Sequence, residues 1–171
     1  PDYPAEIVCV VSNRADAAGL DFARANGIEA CFIDHKAYAS REDFETALDT
    51  CLRSRHVDII ALAGFMRILT ARFIAGWGGR MLNIHPSLLP AYKGLHTHER
   101  VLADGAKIHG CTVHHVTAEL DAGPVILQAE VPVLPGDAPN TLAARVLQEE
   151  HRIYPQALAM IATTLQANTS T

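Results

Sequence analysis

Two polar side chains, Asn83 and His85, close an otherwise apolar run at residues 81–85, and Pro86 and Pro90 follow it. Two apart on a strand, they share one face while Leu82 and Ile84 take the other. The prolines forbid further ladder pairing and stiffen the exit, which places the pair at the carboxyl end of a strand, where open α/β sheets bind ligands. An amide donates hydrogen bonds without ionising and an imidazole titrates near neutrality, so together they suit an acid or electrophile. A purely structural hydrogen-bonding role at the strand end fits the same residues. Asp121, in Glu-Leu-Asp-Ala-Gly-Pro (119–124), is either a turn aspartate that caps local N–H groups or a functional carboxylate stiffened by Gly123 and Pro124.

Other groups with chemical potential read less sharply. Among nine histidines, His96, His98, His109, His114 and His115 raise the question of a metal, but no His-Glu-x-x-His or Cys-x-x-Cys signature accompanies them, and no metal is expected. Cys9, Cys31, Cys51 and Cys111 are isolated, mostly in apolar runs, and read as reduced core residues. Glu149 and Glu150 interrupt an apolar helical stripe through Leu142, Val146, Ile153, Ala157 and Ile161, so one of them faces inward. A carboxylate there needs an internal partner or a ligand, and both remain open. Met66, Ile68 and Leu69 follow a strand exit and fit either core packing or the wall of a pocket for a flat ligand.

The elements that must position these groups alternate. A continuous apolar run at 6–12 predicts a strand buried on both faces; a helix over 15–25 ends at Asn26-Gly27, and 28–33 returns to strand, making a βαβ unit. Ser40 caps a helix running to about residue 55. A strand at 57–63 ends at Gly64, a short helix covers 70–77, and residues 80–84 lead into the Asn83 and His85 motif. A helix at 98–106 precedes two strands, 108–117 and 125–133, paired antiparallel. A final helix spans 140 to about 165; Pro155 should kink it or begin a second helix, and a polar tail from 166 should fray. The class is α/β: a doubly wound, mostly parallel sheet with an antiparallel C-terminal extension.

The 171 residues fit one domain, and 49% hydrophobic residues supply one sizeable core. A net charge of −5 offers no electrostatic footprint for nucleic acid or an anionic membrane. No apolar run reaches the roughly 20 residues of a membrane span, and no signal-peptide pattern opens the chain, so a cytoplasmic protein acting on small molecules, monomer or homodimer, is expected.

Asn-Ile-His-Pro-Ser-Leu-Leu-Pro (83–90) followed by Tyr-Lys-Gly-Leu-His-Thr-His-Glu (92–99) closely resembles the phosphoribosylglycinamide formyltransferases, the folate-dependent enzymes of purine synthesis. The resemblance continues through Ala-Gly-Phe-Met-Arg-Ile-Leu (63–69), Gly-Cys-Thr-Val-His (110–114), residues 119–128 and Glu-His-Arg-Ile-Tyr-Pro (150–155). It implies transfer of a formyl group from 10-formyltetrahydrofolate to the amine of glycinamide ribonucleotide, with Asn83, His85 and Asp121 catalytic and His114 supporting them. It places the folate against Arg41, Met66, Arg67, Ile68, Leu69 and Asn83, with Thr117, Ala118, Glu119, Leu120 and Asp121 as the opposite wall. It places the nucleotide beside Leu147, Gln148, Glu149 and Glu150. The roles of His96 and His98 stay unassigned. In such a reaction the attacked carbonyl becomes an oxyanion that Asn83 and a protonated His85 would meet, and Asp121 would supply the charge favouring that protonation.

Two alternatives differ in chemistry. A formyltetrahydrofolate deformylase would use water in place of the amine, but such relatives follow Asn-x-His with another His and Phe where this chain has Pro86-Ser87. A nucleotide-binding module without catalysis would make the three polar residues incidental. The resemblance also implies a strand, a glycine-rich phosphate loop and a helix ahead of Pro1, so the chain is expected to be a formyltransferase domain lacking roughly 20 to 25 residues, the length of one βα unit. Its first strand would then be the family's second.

Overall fold

The structure is a computed structural model that describes residues 3–169. Its contacts divide into two units, residues Pro1–Asp58 with Ile68–Phe73, and Ile59–Arg67 with Ile74–Thr171.

The first unit opens with the expected βαβ arrangement. Strand β1 (Cys9–Ser12), helix α1 (Ala18–Ala25) and strand β2 (Glu29–Phe32) place the two strands parallel, Cys9 opposite Glu29 and Ser12 opposite Phe32. Asn26 ends α1 and Gly27 turns the chain at a φ of 70°, the left-handed conformation that glycine adopts without a Cβ penalty. The strand expected to be buried on both faces is shorter and only half-buried, and Ile7 and Val8 before it are exposed; among the described residues β1 has a single hydrogen-bonded neighbour. Cys9, Cys31 and Cys51 are likewise half-buried, and only Cys111 is a core residue.

A 3-10 turn at His35–Ala37 leads to helix α2 (Arg41–Arg53), whose Ser40 hydroxyl accepts the Asp43 N–H at 3.0 Å as the sequence predicts. Buried Glu45 on this helix accepts the Thr70 N–H at 2.7 Å and the Thr70 hydroxyl, and Thr70 Oγ1 accepts the Phe73 N–H, capping helix α3 (Ala71–Gly76).

The second unit holds a four-stranded sheet in the order β3 (Ile60–Ala61), β4 (Met81–His85), β5 (Ile108–His115), β6 (Val125–Pro132). The β3–β4 pair is parallel and the other two are antiparallel. β3 pairs over two residues only, so most of the strand expected at 57–63 is not ladder. Helix α4 (Thr97–Ala103) and helix α5 (Pro139–Thr169) complete the unit.

Its core joins Val101 of α4, Cys111 and Val113 of β5, Ala129 and Val131 of β6, and the stripe Leu142, Val146, Ile153 and Ala157 of α5. Ile161, expected on that stripe, is half-buried. α5 runs through Pro155 as one element and its helical residues reach Thr169, where the Thr169 hydroxyl donates to the Leu165 carbonyl, so the tail is not frayed at 166–169. Residues 170 and 171 lie outside the described ones. The Tyr154 hydroxyl contacts the carbonyls of Leu62 (2.6 Å) and Leu82 (3.2 Å), tying α5 to β3 and β4. Among the described residues, no helix is long and apolar enough to cross a membrane.

The proline-rich segment leaving β4 is fixed by one buried hydroxyl. Thr112 Oγ1 donates to the Ser87 carbonyl (2.7 Å) and accepts from Leu89 N–H (3.0 Å) and Gln128 Nε2 (2.9 Å), so its bonding capacity is filled. Replacing Thr112 with valine preserves the shape but removes the partner of the Ser87 carbonyl and the Leu89 N–H at a fully buried side chain, while Gln128 keeps its bond to the Leu89 carbonyl. It should lower the unfolding free energy by about 1–3 kcal/mol in a denaturant titration, with the far-ultraviolet spectrum unchanged.

Candidate functional site

Strand β4 delivers Asn83 and His85 to the same face, and β5 pairs with it so that Asn83 lies opposite His114 and His85 opposite Thr112. His114 is buried and its Nδ1 lies 2.9 Å from the His115 carbonyl, so Nδ1 carries the hydrogen and donates. Burial pushes the His114 pKa down, which keeps the ring neutral and leaves a lone pair on Nε2. That nitrogen lies 3.4 Å from Asn83 Nδ2. The contact orients the amide: Asn83 Nδ2 gives one hydrogen to His114 and keeps the other for a ligand.

His85 is buried at 7% exposure with both ring nitrogens facing acceptors. Nε2–H donates to the Tyr92 carbonyl at 2.9 Å, and Nδ1 lies 3.5 Å from Asp121 Oδ2. This is the donor pattern that an imidazolium satisfies. At 3.5 Å the Nδ1 contact is an ion-pair distance longer than a hydrogen bond, so Nδ1 is the ring nitrogen open to a further acceptor. Asp121 Oδ2 also accepts the Gly94 N–H at 2.9 Å.

Asp121 sits at the turn between β5 and β6 with a φ of 51°, a conformation costly for a residue with a side chain. Gly123 holds the turn against β5. A Cβ there would lie 1.7 Å from the His115 carbonyl oxygen, an approach only glycine allows.

Of the other expected site residues, Glu150 is the inward carboxylate of α5. Burial raises its pKa, partly countered by His151 and His85. Glu149 instead pairs with Arg152 across one turn. Leu147 and Gln148 are exposed on the same helix, as are Thr117, Ala118, Glu119 and Leu120 on the segment before Asp121. Met66 is 75% exposed and Arg67 half-buried. Arg41, Ile68 and Leu69 belong to the first unit: Arg41 is exposed at the first turn of α2, Ile68 is exposed, and Leu69 is buried. The burial of Leu69 accords with the core-packing alternative for its side chain, and the exposure of Met66 and Ile68 does not.

The sequence did not point to Tyr92 and Gly94 as groups that act through their backbone, and it raised His109 only within a metal hypothesis. Their signal was present only as the unexplained Tyr-Lys-Gly that precedes His96. His98 Nδ1 lies 3.1 Å from Nε2 of fully buried His109, whose ring also meets Tyr92 edge-on. Among the described residues, no group of three or more His, Cys, Asp or Glu side chains is placed to hold a metal ion.

Two outcomes follow from this geometry. Gly123→Ala should displace the Asp121 turn, costing about 1–3 kcal/mol of stability through overpacking and about 10- to 100-fold in any activity that uses Asp121, measured by thermal unfolding and steady-state kinetics. The second concerns His109, held down to about 4 from 6.5 by burial and by His98 and His85. The folded ring stays neutral where the unfolded ring takes a proton, so stability is present above pH 6.5 and is lost as pH falls toward 4. The expected slope is roughly 1.4 kcal/mol per pH unit across that window, and His109→Gln should flatten it in denaturant titrations at several pH values.

The family model described as formyl transferase matches residues 1–158. The phosphoribosylglycinamide formyltransferase of Escherichia coli K12 is 50% identical over 153 residues, covering 90% of this chain and 72% of that protein. The trifunctional purine biosynthetic protein adenosine-3 of Bos taurus is 51% identical over 162 residues, covering 95% of this chain but 16% of that protein, so the chain spans about one sixth of this longer relative. The crystal structure of phosphoribosylglycinamide formyltransferase from Brucella melitensis superposes with a TM-score of 0.91 at 55% identity, covering 95% of this chain and 83% of that one. The chain therefore belongs to the formyl transferase family, among its phosphoribosylglycinamide formyltransferase members.

Proposed function

We propose that this chain transfers the formyl group of 10-formyltetrahydrofolate to the amine of glycinamide ribonucleotide, a step of purine nucleotide synthesis in the cytoplasm. The observation that carries the reading is the buried His85 and Asp121 pair, 3.5 Å apart, beside an Asn83 amide whose orientation is set by His114, in a member of this family. We read residues 1–171 as one formyltransferase domain, which the family match over 1–158 supports.

The amine nitrogen attacks the formyl carbon, the carbonyl electrons move to oxygen, and a tetrahedral oxyanion forms. Asn83 donates its second amide hydrogen to that oxygen and His85 donates through Nδ1–H, both fixed before the reaction begins. The attacking nitrogen becomes positive and must lose a proton. Asp121 Oδ2 is engaged by Gly94 and faces His85, so we assign Oδ1 to that proton, directly or through water. Collapse of the intermediate re-forms the carbonyl and expels the tetrahydrofolate nitrogen, which takes from Asp121, directly or through water, the proton the amine lost.

For the ligands, we assign the folate to Met66, Arg67 and the 117–121 segment of the second unit; Arg41, Ile68 and Leu69 of the first unit are assigned to it on the family resemblance alone. The nucleotide is assigned to the α5 face carrying Leu147, Gln148, Glu149 and Glu150. Within the second unit, exposed Met66 and Leu120 supply apolar surface for a flat ring, which supports this assignment.

Formyl transfer to glycinamide ribonucleotide, followed by loss of 10-formyltetrahydrofolate absorbance, tests the reading; release of formate without the amine would replace it with deformylation. His85→Ala and Asp121→Asn should each lower kcat by about 10²- to 10⁴-fold, the range of general acid–base groups. The double variant should lose less than the product of the two effects, because each acts through the other. Strictly multiplicative losses would dissolve the pair as a unit.

A further inference from the structure

His85 and Asp121 are both gripped by backbone groups of one short segment, and that segment does not hold its shape unaided. The Tyr92 carbonyl takes the His85 Nε2–H, and two residues on the Gly94 N–H takes the Asp121 carboxylate, each at 2.9 Å. Between α4 and the prolines, Tyr92, Gly94 and His96 have φ values of 54°, 81° and 57°. For tyrosine and histidine this left-handed conformation costs about 1–2 kcal/mol each, so something outside the segment must stabilise it.

Arg100 on α4 faces it. Its Nη1 carries two hydrogens and donates to the Lys93 carbonyl at 2.7 Å and the Leu95 carbonyl at 3.3 Å, the two carbonyls that lie between the left-handed residues. The guanidinium carbon lies 5.4 Å from the centre of the Tyr92 ring, and the Tyr92 hydroxyl donates to Asp104 Oδ2 at 3.0 Å. The backbone between and after Tyr92 and Gly94, together with the Tyr92 side chain, is thereby tied to one helix.

We infer that Arg100 is a positioning residue for formyl transfer: by clasping the Lys93 and Leu95 carbonyls it sets the Tyr92 carbonyl and Gly94 N–H, and through them the mutual placement of His85 and Asp121. The inference rests on the formyl-transfer reading for its kinetic consequence but on hydrogen bonds alone for its structural one. A planar, charged fork suits the task, since it gives charge-assisted bonds to both carbonyls while stacking on the aromatic ring. Lysine reaches the carbonyls but does not stack.

The test compares the wild-type chain with Arg100→Ala and Arg100→Lys by two readouts. In steady-state formyl transfer, Arg100→Ala should lower kcat by about 10- to 100-fold, the scale of a displaced reacting pair, with both KM values within about twofold because Arg100 lies outside the residues assigned to either ligand. Arg100→Lys should recover part of kcat. In nitrogen-15 spectra of the side-chain imidazoles, recorded without substrate, the hydrogen-bonded Nε2–H of His85 should be visible in the wild type and broadened or lost in Arg100→Ala. Wild-type kcat in Arg100→Ala overturns the inference, and so does a kcat loss with the His85 resonance unchanged, which would place the effect elsewhere. If Arg100→Ala fails to fold by its unfolding curve, Arg100→Lys decides: wild-type kcat and His85 resonance in that folded variant sink the need for the stacked fork, while intermediate values support it. Absence of formyl transfer in the wild type would remove the functional reading, and the imidazole spectra would still decide the positioning claim.

Discussion

The register between β4 and β5 is the constraint on which the site depends. It sets Asn83 opposite His114 and His85 opposite Thr112, and a slip of one residue would turn every one of these side chains to the opposite face. With the register in place, His114 orients the Asn83 amide and Thr112 fixes the backbone that leaves His85. Burial on both sides of β5 enforces it, because residues 109–114 are all buried and Cys111 and Val113 face the α5 stripe. The hydrophobic core and the polar site are thus two faces of one strand, and the energy that holds the first also aligns the second.

Around this frame the chain accepts local strain. Asp121, Tyr92 and His96 all occupy left-handed backbone, and Gly123 approaches the His115 carbonyl more closely than any Cβ would permit. Each strained point adjoins a hydrogen bond to His85 or Asp121 or a clamp upon one. Such conformations persist where surrounding contacts over-determine them, here the Arg100 and Asp104 contacts on one side and the β5–β6 turn on the other.

Much of this could be read from the sequence, for identifiable reasons. The βαβ start, the Ser40 cap, the β5–β6 hairpin and the α5 stripe follow from periodicity and turn residues, which act over a few positions. Asn83 and His85 stood out because polar residues interrupt an apolar strand. Strand lengths were less legible: 6–12 and 57–63 read as long buried strands, yet pairing, which depends on distant partners, covers only Cys9–Ser12 and Ile60–Ala61. Tyr92, Gly94 and Arg100 were invisible as site residues, since two contribute main-chain atoms and the third holds carbonyls. Backbone groups have no residue-type signature, and only a structure shows which way they face. The side-chain identity of Gly123 was read as turn stiffening, whereas its need is steric and set by β5.

The histidines illustrate how one residue type is divided between roles by its surroundings. His98, His109 and His114 lie near the site, and burial depresses the pKa of each, so near neutral pH they are uncharged hydrogen-bonding rings. A cluster of imidazoliums would repel a charge placed on His85; neutral neighbours do not. His85 differs in what its two nitrogens meet, a carbonyl on one side and a carboxylate on the other, both acceptors. His98 and His109 meet each other, an arrangement in which one ring must donate and the other accept. The ring that the proposed chemistry uses is thereby set apart from the others, not by sequence position but by the acceptors that the 92–94 segment and the Asp121 turn bring to its two nitrogens.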